Sequence, residues 1–212
     1  MFTTASGNPR PDFRSNGLLW FLLAAFCVVW VLAAIEPLYP DDWLLENVLV
    51  FASVPVLLLT YKRFPFSDLS YVLLTAFMIL HSIGTHYTYA EVPFGFWLQE
   101  QFNLSRNHYD RIVHCSFGLL LAYPMRELVQ RSARSVGFWL FFLPITMTLG
   151  MSAMYEVAEW FAAAVTNPEL GTAYLGTQGD EWDAQKDTGL AAIGALLCMV
   201  ITVTAGKITD RP

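Results

Sequence analysis

Charge is scarce in this 212-residue sequence: only 14% of the residues are charged, against roughly 25% in ordinary soluble domains. Hydrophobic residues make up 55%, and the mean hydropathy is +0.44. A soluble protein of this size could not cover itself with so few charges. The composition therefore predicts a membrane protein that crosses the bilayer several times and forms one domain by length, and nothing in it indicates nucleic-acid binding.

Paired cysteines are also lacking. Cys27, Cys115 and Cys198 lie singly inside apolar runs, and no C-x-x-C spacing occurs. An odd, scattered set argues against a disulfide framework or a thiolate metal site and favours three small buried hydrophobic residues. Internal repeats, low-complexity segments and the H-E-x-x-H zinc signature are absent as well.

Long apolar runs, in contrast, are abundant. A span needs about 20 mostly apolar residues. Six segments qualify, which predicts an all-α bundle of about six transmembrane helices: 17–35, 43–60, 68–89, 112–130, 137–162 and 187–206. The first is too long for the apolar part of a signal peptide, so it is read as a retained helix. The predicted organisation is an N-terminal tail (1–16), one transmembrane domain (17–207) and a C-terminal tail (208–212).

The basic residues predict the orientation, because cytoplasmic loops are enriched in Lys and Arg. Nine of the twelve fall on one side of the six-span arrangement, which places both termini in the cytoplasm: Arg10, Arg14, Lys62, Arg63, Arg126, Arg131, Arg134, Lys207 and Arg211. Acidic residues dominate the opposite, outer side.

Four polar stretches lie at the outer ends of these spans: HSIGTHYTYAEVP (81–93), RNHYDRIVHCSFG (106–118), YEVAEW (155–160) and LGTQGDEWDAQKD (175–187). Ionisable groups at a membrane boundary are costly unless they are paired, so such a cluster predicts a functional site.

Two of the stretches offer histidines. His81 and His86 are five residues apart on the third span, about 140° around an ideal helix, so both cannot aim at one point without a distortion. His81 is equally well explained as a core histidine bonded to a carbonyl. Asp110 and His114 are spaced i,i+4, which lets the carboxylate orient the imidazole or lets both bind one ion. Asp110 also suits a plain helix N-terminus.

The other two stretches offer carboxylates. Glu156 and Glu159 lie three apart near the bilayer edge and repel each other unless a cation or a shared proton intervenes. Asp183 and Asp187 project from one face if a helix begins by about residue 183. Gly176 and Gly179 before them permit tight turns.

Together these residues form a mixed histidine and carboxylate set suited to a divalent ion such as zinc, manganese or magnesium, with a position left for water. The proposed ligands are His81, His86, His114, Asp110, Asp180 and Asp187, with His108 nearby. The proposed catalytic residues are Glu156, Glu159, Asp183 and Arg111.

The same four stretches resemble the bacterial inner-membrane family typified by YjdF, over roughly residues 20–206. This resemblance implies an inner-membrane location and no particular reaction. The chain is more faintly similar to VanZ-like membrane proteins, in which Arg111 with His114, Glu156, and Asp183 with Asp187 would correspond to a recurring pattern; its long outer loops depart from that pattern.

Two functions fit these observations. The first is a metal-dependent hydrolase or transferase that acts at the outer leaflet on a lipid or lipid-linked substrate, with Arg111 countering substrate charge. The second is a transporter or cation-binding protein that relays ions or protons. The lack of charged residues deep in the cytoplasmic half favours the first. A purely structural membrane module is a third reading, and the oligomeric state is left open.

Overall fold

The chain folds into a helical membrane bundle. The structure, a computed structural model, describes residues 13–165 and 175–209, and these ranges contain helices and no strand. Five of the described segments are long and apolar enough to cross a membrane, and Gly17–Ala33 is a shorter apolar helix. The predicted all-α bundle is confirmed. The side of the membrane on which the termini lie stays a prediction.

Eight helices follow one another in the described residues: α1 Gly17–Ala33, α2 Pro40–Glu46, α3 Val48–Thr60, α4 Asp68–Tyr87, α5 Pro93–Phe102, α6 Tyr109–Ser132, α7 Phe138–Val165 and α8 Asp183–Thr209. Short 3-10 turns occur at Phe13–Ser15 and Tyr89–Glu91.

Several helix boundaries differ from the predicted spans by up to four residues. Helices α6 and α8 begin three to four residues earlier than the apolar runs do, and each has an aspartate, Asp110 or Asp183, in its first turn. An acidic side chain is favourable there because of the helix dipole. Helix α8 runs on into the predicted C-terminal tail. The rest of that tail (210–212), residues 1–12 of the N-terminal tail, and Glu169 in the last outer loop lie outside the described residues.

The second span is one apolar segment (Pro40–Thr60) made of two helices that meet at Asn47. The Asn47 side chain is fully buried, donates to the carbonyl of Trp43 and accepts from the indole nitrogen of Trp30. These bonds satisfy a buried amide inside the bundle, and they tie α1 to the second span.

Helices α6, α7 and α8 pack on one another, and α4 joins α6 to α1. The α6–α8 contact is very close. A Cβ atom at Gly118 would lie 1.8 Å from the carbonyl oxygen of Ala191, and one at Gly194 would lie 2.1 Å from that of Cys115. Glycine at these two positions is what permits the close approach of the two helices.

The bundle has a basic end and an acidic end. At the basic end, Glu127 near the end of α6 accepts from the backbone of Ser67 before α4, and Arg131 donates to the carbonyl of Pro65. At the acidic end lie the start of α6, the end of α7 and the start of α8. The basic end is the side predicted to face the cytoplasm.

The cysteines are unpaired, as predicted, but they are not all buried. Cys198 is buried, Cys115 is half-buried and Cys27 is exposed on the surface of α1. Cys27 belongs to a helix whose apolar surface faces outward from the bundle, where a membrane replaces a protein core.

Candidate functional site

Three carboxylates from two helices meet at the acidic end. Asp110 lies in the first turn of α6, and Asp183 and Asp187 lie one turn apart at the start of α8. One oxygen from each lies within 4.8 Å of the other two. Helix α8 begins at Asp183, which meets the condition for Asp183 and Asp187 to project from one face, and both aspartates lie toward α6. We call these three residues the acidic triad.

Asp183 is held by two arginines. Arg106 Nη1 and Nη2 lie 2.5 and 3.3 Å from its carboxylate oxygens, and Arg111 Nη2 lies 3.3 Å from Oδ1. Among the described residues, no lysine or arginine pairs with Asp110 or Asp187. The positive charge is therefore concentrated on one member of the triad.

The loop before α8 shapes this arrangement. Gly176, Gln178 and Gly179 have positive φ angles, so the chain turns tightly here, as the glycines predicted. The turn directs the carbonyls of Gly176 and Thr177 toward Arg106, which donates to both. The Gln178 amide donates to the carbonyl of Asn107 and accepts from its backbone N–H, which fixes this loop to the start of α6.

Asp180 lies at the mouth of the site and not within the triad. Its Oδ2 accepts a hydrogen bond from Arg111 at 2.5 Å. Its Oδ1 and Oδ2 both accept from the Lys186 ammonium, at 2.8 and 2.5 Å. Its bond from Lys186, followed by the backbone N–H of Trp182, lowers the pKa of Asp180 to about 2. Asp180 was predicted as a metal ligand; in the structure it is paired with Arg111 and Lys186 and does not join the triad.

His114 links the triad to α7. Its Nε2 lies 3.5 Å from Asp110 and 3.3 Å from Oε1 of Glu156, and its Nδ1 lies 3.3 Å from the Ser152 hydroxyl. Oε1 of Glu156 is buried and has no partner with hydrogen-bond geometry. Glu159 interacts with Glu156 from the next turn. Glu156 and Glu159, the pair predicted on α7, are therefore connected to the triad through His114.

Below this layer lies a cavity of about 80 Å³, lined in part by Asp110, His114 and Glu159. A cavity that size has room for several water molecules, since one needs roughly 10–15 Å³. Tyr155 lines it too and hydrogen-bonds Glu46, which is buried in the second span.

The remaining histidines lie apart from the triad. His81 is buried, and its Nδ1 is hydrogen-bonded to the hydroxyl of Tyr89. Burial raises the pKa of Tyr89 well above its usual value, so the hydroxyl is protonated and donates. His81 lines the cavity as a core histidine, which was one of its two readings.

The structure does not bring His86 to the triad. Its Nδ1 lies 3.1 Å from the carbonyl of Ala33, and its own carbonyl accepts from Leu38. Because His86 lies on a different face of α4 from His81, its side chain points toward α1. His108 contacts Arg111 through Nδ1, at 3.3 Å. Burial, with Arg111 and Arg106, lowers the pKa of His108, which keeps its ring neutral at pH 7.

Two members of the site escaped prediction, Arg106 and Glu46. Arg106 lies just before α6, outside every apolar run, so periodicity gives it no weight. A usable signal existed: Arg106, Arg111 and Lys186 are the three basic residues on the acidic side, and all three pair with Asp180 or Asp183. Glu46 was noticeable as a charge within a span, which is a functional hint by default.

The charges at this end do not balance. The triad, Glu156 and Glu159 supply five carboxyl groups near the two arginines. Buried carboxyl groups this close cannot all be ionised unless a cation is bound; without one, some of them must keep a proton. Within the triad the deficit falls on Asp187: the residue is 2% exposed, and its Oδ1 has no hydrogen-bond partner. The arrangement is chemically able to hold a cation or to share protons.

The fold and the charged end define a multi-pass helical membrane protein. The chain belongs to the family described as "Predicted membrane protein (DUF2238)", whose model matches residues 18–207. It is similar to the inner membrane protein YjdF of Escherichia coli (strain K12), with 41% identity over 159 residues, 74% of this chain and 76% of that protein. No solved structure matches the chain. The predicted YjdF-like membership is confirmed; the VanZ-like similarity stays a prediction.

Proposed function

We propose that this protein is a divalent-cation-dependent hydrolase or transferase that acts on a phosphate-bearing lipid or lipid-linked substrate at the outer membrane face. The observation that carries the proposal is the acidic triad, with the unpartnered, buried oxygen of Asp187 in it. A buried carboxylate oxygen without a partner costs free energy, and a bound cation would remove that cost.

The donor set suits a hard cation. Carboxylate oxygens are the ligands that Mg²⁺ and Mn²⁺ prefer, whereas Zn²⁺ sites more often include histidine or cysteine. Opposite ligands of an octahedral Mg²⁺ lie about 4.2 Å apart. The triad oxygens lie within 4.8 Å of one another, and adjacent ligands of an octahedral Mg²⁺ lie only about 3 Å apart, so the three carboxylates would have to draw together around a bound ion. His114 is near enough to Asp110 to orient it or to join the set.

The surrounding groups suit ester hydrolysis or transfer. Glu156 or His114, which contact each other at 3.3 Å, would accept the proton of an attacking water or alcohol, as general bases do. The attacking oxygen would bond to phosphorus while the bond to the leaving oxygen breaks, and the proton would pass to that oxygen. Arg111, partly exposed, would offset the negative charge of the phosphate. Asp183 would fix the two arginines, and Glu159 would support Glu156.

Turnover of a labelled lipid tests the proposal. Purified protein is stripped with EDTA, placed in vesicles that contain fluorescent phosphatidylglycerol, and supplied with Mg²⁺, Mn²⁺ or Zn²⁺. We expect product only with added cation, and none from Asp187→Asn or Asp183→Asn, whose thermal stabilities are measured in parallel. Asp41→Asn, an exposed aspartate at the same end, is the matched control. Turnover that survives EDTA, or that is equal in Asp187→Asn, would contradict the proposal.

An ion- or proton-coupled transporter is the second candidate. The chain of ionisable groups from Asp110 through His114 to Glu156 and Glu159, next to a cavity that has room for water, favours it. A proton-coupled protein would acidify or alkalinise vesicles on substrate addition, with no release of labelled product.

A further inference from the structure

A groove of about 600 Å³ opens on the outer surface of the bundle between α6 and α8. Its upper rim carries three nitrogen-bearing side chains, His108, Arg111 and Lys186. Its floor below them is apolar and includes Ile112, Leu190 and other aliphatic side chains of the two helices. A polar rim above an apolar channel matches the two parts of a lipid, its headgroup and its chain.

The charged side chains that line the rim are both basic. Arg111 and Lys186 line the groove, and their shared partner Asp180 does not. No acidic side chain is among the residues that line the groove. Lys186 is 49% exposed and Arg111 is 19% exposed, so both can reach a ligand without breaking the buried pair below them.

His108 adds a neutral donor to the rim. Arginine can only donate, so Nδ1 of His108 accepts from Arg111 and the ring proton is on Nε2. A neutral N–H beside two cations suits a phosphate, whose oxygens accept several bonds at once.

We propose that the groove binds an anionic phospholipid, with its phosphate between His108, Arg111 and Lys186 and one acyl chain along the floor. The charged side chains of the rim are basic, which favours an anionic headgroup over a zwitterionic one, and the apolar channel below suits an acyl chain. Basic pockets between transmembrane helices bind such headgroups. This inference rests on the proposed function, since the groove would deliver the phosphate beside the triad from within the bilayer.

Gly189 makes the inference testable. It lines the groove, and a Cβ atom there would meet no atom within 4 Å, so a larger side chain would fill the groove without displacing the bundle. Gly150 on α7 is exposed and equally free of neighbours within 4 Å, but it does not line the groove. Gly189→Phe and Gly150→Phe are therefore a matched pair.

The experiment measures lipid immobilisation on the full chain. Protein in phosphatidylcholine bilayers with EDTA receives trace spin-labelled phosphatidylglycerol or spin-labelled phosphatidylcholine, and electron paramagnetic resonance gives the immobilised fraction of each. We expect the parent and Gly150→Phe to prefer phosphatidylglycerol. Gly189→Phe should lose this preference, and Lys186→Gln should reduce it about fivefold, the effect of one basic residue on an anionic lipid.

Equal immobilisation of both lipids by the parent would assign the groove to ordinary bilayer lipid and overturn the inference. An unchanged preference in both Gly189→Phe and Lys186→Gln would overturn it too, and so would the immobilisation of neither lipid, since another helix would then cover the groove. Because EDTA is present throughout, a failure of the metal proposal leaves this result unaffected. If metal-dependent turnover is retained but the parent shows no lipid preference, the groove proposal fails and the proposed function stands.

Discussion

Both Nη atoms of Arg106 contact the carboxylate of Asp183, and both side chains are more than nine-tenths buried. The arginine reaches Asp183 from the segment before α6, while its other bonds go to loop carbonyls before α8. The pair thus joins the two helices that carry the triad. It also satisfies Asp183, so the unmet need for positive charge falls on Asp110 and Asp187.

Replacing Arg106 with glutamine should lower the free energy of unfolding by about 3–5 kcal/mol, because it leaves Asp183 buried without its main partner. Arg126→Gln removes a basic residue whose hydrogen bond to Gln130 is exposed, and it should change stability by less than about 0.5 kcal/mol. Unfolding in mixed micelles measures both. Equal stability of the two variants would show that the buried pair contributes nothing.

The α6–α8 contact should not tolerate a methyl group. Gly118→Ala would place Cβ 1.8 Å from the Ala191 carbonyl, so the helices must separate, at a cost of about 1–3 kcal/mol or more. Gly150→Ala, in open space, should stabilise by about 0.5–1 kcal/mol through helix propensity. The same unfolding assay compares them. A neutral Gly118→Ala would contradict the close approach.

The mouth of the site should respond to acid. The pKa of Asp180 is lowered from 3.8 to about 2, so the ionised form stabilises the folded protein above pH 3.8, and this contribution is lost as the pH falls from 3.8 to about 2. The melting temperature of the parent should therefore exceed that of Asp180→Asn above pH 3.8, and the two should converge near pH 2. A difference that widens as the pH falls would contradict the bond to Lys186.

The orientation is testable by labelling from outside the cell. In a variant without native cysteines, Lys62→Cys and Arg131→Cys should be protected from a membrane-impermeant maleimide, and Trp97→Cys should react, because the basic end is predicted to face the cytoplasm. Position 172, outside the described residues, should react as well. Labelling at 131 from outside would reverse the assignment.

Much of the fold was predictable from the sequence because a bilayer imposes simple requirements. Apolar length identified all six segments, and the uneven distribution of basic residues separated the two ends of the bundle. The i,i+4 spacings of Asp110 with His114 and of Asp183 with Asp187 predicted shared helix faces, since such residues lie one turn apart. The structure brings His114, Glu156 and Asp187 to the same end, as the positions of their helices indicate.

Contacts between helices were less predictable, because spacing along one helix says nothing about its neighbours. Arg106 reaches Asp183 across 77 positions of sequence, and Tyr155 reaches Glu46 across 109. His86 shows the opposite failure: it lies in a polar stretch with the others, but its face of α4 turns toward α1. Only the packing of α4 decides this.

The central claim, a cation held by the acidic triad, is tested most directly by Mn²⁺ titration of the EDTA-stripped protein, with free Mn²⁺ followed by electron paramagnetic resonance. We predict one Mn²⁺ bound per parent chain and per Asp41→Asn chain, and none bound by Asp187→Asn at the same concentrations, with all three proteins folded. Binding of Mn²⁺ by Asp187→Asn equal to that of the parent, or no binding by the parent, would contradict the claim.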